Sequence, residues 1–144
     1  MERILLDRKR KAVLPVNVNG RDFDLEFDAH DLVVKATVIG MAKDLFAYGL
    51  KTEKMSERIG ELEKKKGPDG MKELFDFLHA VAQEGLELCA DMSGRMASIV
   101  PDWKSVAGSC NDYNVYKEIV AAMEKIIADT ESGEKVAEQI EEER

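Results

Sequence analysis

Cysteine and histidine are nearly absent, with two of each in 144 residues. Cys89 and Cys110 are too few and too far apart in sequence for a zinc knuckle or a redox pair, so each reads as a small apolar residue for a core. His30, beside Asp31, and His79, inside an apolar stretch, do not supply the multi-histidine site of a metal-dependent phosphohydrolase. Neither Ser105 nor Ser109 stands in a nucleophile elbow, and no glycine-rich segment ends in the Gly-Lys-Ser/Thr of a phosphate loop. Glu84 and Glu87, three apart, are spaced as on an ordinary solvent-facing helix side. The expectation is a protein that is not an enzyme and carries no cofactor. Long uninterrupted apolar runs are missing too, which excludes a bilayer-spanning helix. No apolar secretory segment follows Met1, which points to a reducing cytoplasm. The net charge of -8 argues against a phosphate-binding surface, and so against nucleic acid. The basic run Arg8, Lys9, Arg10, Lys11 runs against that charge and reads as a solvated arm over residues 1–12.

What is present is a hydrophobic fraction of 44% beside a charged fraction of 35%, the balance of one soluble domain able to close a modest core. That domain is placed at 13–129, with an acidic tail at 130–144. Its best-specified stretch is VLPVNVNGRDFDLEFDAHD, residues 13 to 31. Asn19 and Gly20 suit the two central positions of a type I′ turn, which sets Val18 opposite Arg21, Val16 opposite Phe23, Leu14 opposite Leu25 and Ala12 opposite Phe27. One face of the hairpin is then apolar. The other carries Lys11, Val13, Pro15 and Asn17 against Asp28, Glu26, Asp24 and Asp22, and Pro15 makes its strand an edge. A lone hairpin is marginal in water, so its apolar face is expected on helices or on a partner. The alternating carboxylates do not make a calcium loop. Counting from Asp22, the glycine and glutamate positions hold Phe27 and Val33; counting from Asp24, they hold Ala29 and Lys35. A solvated acidic face without metal is the expectation.

Asp28 is placed as the cap of a helix opening at Ala29, with Asp31 in its first turn. Leu32, Ala36 and Ile39, together with Val34, Val38, Met41 and Leu45, then form a wide apolar stripe to about Leu50. Met55, Ile59 and Leu62 make a narrower one, too slim for a central core helix, before Lys64, Lys65, Lys66, Gly67 and Pro68 stop it. Those three residues are the expected partner contact. A central helix capped by Asp69 carries Met71, Leu74, Phe75, Phe77, Leu78, Val81, Leu86, Cys89 and Met92. From Ser93 to Asn111 a connection with one helical turn near Trp103 is expected, then a helix from about Asp112 with Val115, Ile119, Met123 and Ile127 on one stripe. The fold class is mainly α with a small N-terminal β-hairpin (α+β), packed on a bundle of three to four helices.

The hairpin V-x-V-N-G-R-x-F-x-L-x-F, the central LFDFLHAV, the small-residue connection and the closing N-x-x-x-Y-K-E-I resemble the small tail assembly chaperones of long-tailed bacteriophages over roughly residues 13 to 127. The connection departs from that pattern, with PDW and GSC where a more regular glycine-rich segment would stand. The resemblance implies a chaperone of tail and virion morphogenesis whose helices cover a hydrophobic helical partner, a tape measure protein, in the host cytoplasm. It brings no catalytic residues. Seven methionines would let such surfaces repack against imperfect sequences. Two other readings stay open: a permanent structural component of a phage particle or complex, and a small regulatory binding protein. A homo-oligomer is compatible with each.

Overall fold

The computed structural model describes residues 11–65, 67–104 and 110–143, with side chains through Glu131. Two strands, β1 (Lys11–Val18) and β2 (Arg21–Asp28), lead into helices α1 (Leu32–Glu53), α2 (Met55–Glu63), α3 (Pro68–Ile99) and α4 (Tyr113–Glu143). The fold is thus mainly helical with an N-terminal hairpin, as the sequence predicts. Arg8, Lys9 and Arg10 of the basic arm, and Ser105 and Ser109, lie outside the described residues. Lys11 and Ala12, expected in the arm, begin β1, and the segment expected as an acidic tail continues α4 as helix to Glu143.

The strand pairing agrees with the sequence register at every position, from Val18 opposite Arg21 to Lys11 opposite Asp28. Asn19 and Gly20 have φ of 53° and 86°, the paired positive values a type I′ turn requires. The Asn17 side chain braces the turn, accepting from the Gly20 amide at 3.1 Å and donating to Asp22 at 2.6 Å. Burial deepens away from the turn. Phe23 is half-buried, while Leu25 and Phe27 are enclosed, worth roughly 1.5–3 kcal/mol each in apolar transfer.

Three boundaries differ from the sequence reading. Asp31, not Asp28, caps α1: its carboxylate accepts from the amides of Val33 at 2.8 Å and Val34 at 3.2 Å. Asp28 instead turns the chain, accepting from the His30 amide at 2.9 Å. Asp69 lies inside the first turn of α3, whose cap position is Gly67 at φ 102° with Pro68 next; proline at the first helical position needs no amide and so starts the helix there. Gly70 follows because a Cβ at that position would run into the Lys65 backbone carbonyl. Finally, α3 does not end at Ser93 but runs to Ile99, carried by Met92, Met96 and Ile99 on the buried stripe. Asp112 caps α4, accepting from the Asn114 amide at 2.9 Å.

The core joins Phe27 and Leu25 to Val34, Val38, Met41 and Leu45 of α1, Cys89, Met92 and Met96 of α3, and Tyr116, Ile119, Val120, Met123 and Ile127 of α4. Two tyrosine–glycine contacts set the spacing of the helices. Tyr113 of α4 donates to the Leu45 carbonyl at 2.8 Å while lying over Gly49, where an added Cβ would come within 2.8 Å of the hydroxyl. Tyr48 of α1 repeats this on α3, donating to the Val81 carbonyl at 3.2 Å over Gly85. The two rings meet edge-on at 5.0 Å. Glycines that would weaken an isolated helix here admit a neighbouring ring.

Burial pushes the Tyr116 hydroxyl up from 10.0 to about 12, since the ionised form would sit unsolvated in the core. Folding therefore favours the neutral phenol, and stability present below pH 10 is lost as pH rises towards 12. The loss expected from Tyr116 is on the order of 2–3 kcal/mol. Alkaline unfolding followed by circular dichroism should coincide with the late part of the tyrosinate absorbance titration; a tyrosine titration completed before unfolding begins would contradict this burial.

Candidate partner-binding surfaces

The sequence places partner contact on Met55, Ile59 and Leu62. The structure corrects this at Leu62, which is 2% exposed, while Met55 and Ile59 are half-buried. The reason is that α2 folds back on the first half of α3. Their turn is held by the Lys65–Glu73 ion pair at 2.7 Å, and Leu62 faces inward there. A narrow stripe needs only one neighbouring helix to cover it, and α3 provides it. The outer side of α3 then carries Met71, Phe75 and Leu86, at 54%, 61% and 49% exposure.

The larger apolar surface is on α1. Its wide stripe divides into two nearly opposite seams. Val34, Val38, Met41 and Leu45 are buried, whereas Leu32, Ile39, Phe46 and Leu50 remain open, Phe46 at 69%. The open set repeats at seven, seven and four residues, which keeps all of it on one side of the helix. Beside it runs α4, antiparallel to α1: Tyr113 reaches Leu45, and Glu131 meets Lys35 at 2.8 Å. Between the two helices lies an open groove of about 630 Å³, walled by Ile39, Phe46 and Leu50 on one side and by Lys117 and Ala121 on the other. On the far side of α1, Arg95 of α3 binds Asp44 at 2.6 Å and Asp91 at 2.9 Å, and Lys51 binds Glu84 at 2.9 Å. Polar ties thus cover the α3 flank of α1, and the exposed apolar residues Ile39, Phe46 and Leu50 lie on the side that faces the groove.

The remaining candidates are chemically quiet. Asp22, Asp24 and Glu26 lie on the exposed face of the hairpin, and among the described residues no three histidine, cysteine or carboxylate side chains converge as a metal site would require. Burial pushes the Cys89 thiol up, with Cys110 and Asp112 adding to it; a thiol held neutral is a poor nucleophile. His79 is exposed, and Glu84 is engaged with Lys51. Among the described residues, no helix is long and apolar enough to cross a membrane. No protein-family model, curated protein or solved structure matches the chain. The two apolar surfaces of α1 and α3 are what the geometry offers for function.

Proposed function

We propose that this is a non-catalytic binding protein, a tail assembly chaperone that holds a hydrophobic helical partner in the cytoplasm, with a phage tape measure protein the leading candidate. The observation that carries this reading is the exposed seam Leu32, Ile39, Phe46 and Leu50 bordering an apolar groove. An open apolar seam of this length on a small domain is the form in which helical segments are received. The net charge of -8 would keep the covered complex soluble. Reversible, stoichiometric capture needs nothing more. Co-expression with a tape measure protein tests it: the wild type should co-purify, and Phe46→Glu should abolish co-purification while leaving the circular dichroism of the free protein unchanged, because Phe46 lies outside the core. A central interface phenylalanine is worth about 2 kcal/mol or more. Wild-type protein that fails to co-purify would end the chaperone reading, and its recovery in purified particles would replace it with a structural role.

A further inference from the structure

We propose that the α1–α4 groove receives an amphipathic α-helix whose apolar face carries an acidic residue at its middle. This rests on the partner-binding reading above and specifies the chemistry of the partner at that site. The groove is apolar along its walls but charged in an ordered way. Lys43 stands on the α1 wall between Ile39 and Phe46, and Lys117 on the α4 wall between Tyr113 and Glu124, so both fall inside the ends of the groove. Glu53 lies at the end formed by the last turn of α1. Glu124, eleven positions beyond Tyr113 on the antiparallel helix, falls towards the Ile39 end. Among the described residues neither lysine has an ion-pair partner. An apolar groove with two unpaired ammonium groups at its centre favours an occupant that brings a carboxylate there, and it penalises one that brings a cation.

The same arrangement argues against a second copy of α1 as the occupant. Two α1 seams paired about a two-fold axis through their midpoints would place Lys43 about 6 Å along the axis from its counterpart. Like charges at that spacing on an apolar seam oppose pairing. A helix spanning Leu32 to Leu50 is roughly 28 Å long, so an occupant of about 20 residues would cover the seam.

The probes are two synthetic helices of about 20 residues, identical in a leucine-bearing face except for a central glutamate in one and a central lysine in the other. Each is titrated with the full-length protein by fluorescence anisotropy. The glutamate peptide should bind about tenfold more tightly than the lysine peptide, and Lys43→Glu combined with Lys117→Glu should reverse that order. Both lysines are exposed, so the double variant should retain its fold, with circular dichroism as the check. Phe46→Glu should abolish binding of the glutamate peptide, and Phe75→Glu, on the α3 surface, should leave it unchanged. Equal affinities, an order that survives the double variant, or binding of neither peptide would overturn the assignment. Co-purification with a tape measure protein reads the broader proposal separately: if it persists while the peptide preference fails, the groove is wrong and the partner stands. If the preference holds without co-purification, the groove stands and that partner falls.

Discussion

Phe27→Ala is expected to lower the unfolding free energy by about 3–5 kcal/mol, a large part of the stability available to a small domain. Phe27 is 2% exposed at the open end of the hairpin, against the same core as Val34, Val38 and Met41. Removing the ring therefore leaves a void in that core, into which the paired strands cannot collapse without breaking their register. Phe23, four residues nearer the turn and half-buried, should cost only about 1–2 kcal/mol when truncated in the same way, because part of its surface is already in water. Urea unfolding of both variants gives the comparison directly. Equal losses at the two positions would mean that the hairpin lies flat on the helices and does not overhang them from its turn, contrary to the observed gradient of burial.

The hairpin was legible because its signals are local. Asn19-Gly20 fixes the turn, the turn fixes the register, and period-two alternation fixes the face, so no residue beyond 28 is needed to pair Val16 with Phe23. Helix boundaries were less legible because they depend on competing local signals. Asp28 and Asp31 can both cap a helix; the choice fell to Asp31 because Asp28 is still paired with Lys11 in the sheet. At the end of α3, Ser93, Gly94 and Ser98 look like a connection. In the fold, Ser93 takes a hydrogen bond from the Trp103 indole and Ser98 bonds back to the Arg95 carbonyl, so small polar residues serve inside a helix that Met92, Met96 and Ile99 hold in place.

The exposed apolar seam of α1 was the least legible part, for a physical reason. Along α1 one apolar seam steps by four, three and four residues and the other by seven, seven and four; each keeps to one side of the helix, and periodicity alone cannot say which is covered. The choice is made elsewhere. Tyr48 over Gly85, Tyr113 over Gly49 and the Arg95–Asp44 pair fix the rotation of α1 against α3 and α4, which turns Val34 and Val38 inward and leaves Ile39 and Phe46 outside. Leu62 differs in the opposite sense. A stripe too slim for a central helix is wide enough for a two-helix arm, and Leu62 is enclosed there. The useful signal for exposure was the surplus of apolar positions on α1 beyond what one seam can bury.

Trp103→Ala should cost about 3–5 kcal/mol, although the residue lies in what the sequence presents as a loop. After Ile99 the chain makes a tight turn: the Trp103 amide donates to the Val100 carbonyl at 3.3 Å, with Pro101 first and Asp102 second at its centre. Asp102 has φ 66°, the sign a type II turn needs at that position and one that aspartate tolerates better than most residues. The turn drives Val100 and Trp103 inward, each 1% exposed. The indole donates to Ser93 at 3.1 Å and its ring lies 6.0 Å from that of Tyr116. The segment thus closes the end of the bundle between α3, β2 and α4. Trp103→Phe should keep most of the apolar contact and cost about 1–2 kcal/mol, the lost hydrogen bond to Ser93 included. Because Trp103 is the chain's only tryptophan, the variants must be followed by far-ultraviolet circular dichroism, with the wild-type indole fluorescence as a second probe of the same transition. A change within about 0.5 kcal/mol, the range of a surface substitution, would return this turn to the status of a loose connection. A large loss would instead make it a third wall of the core, as firmly held as the N-terminal hairpin.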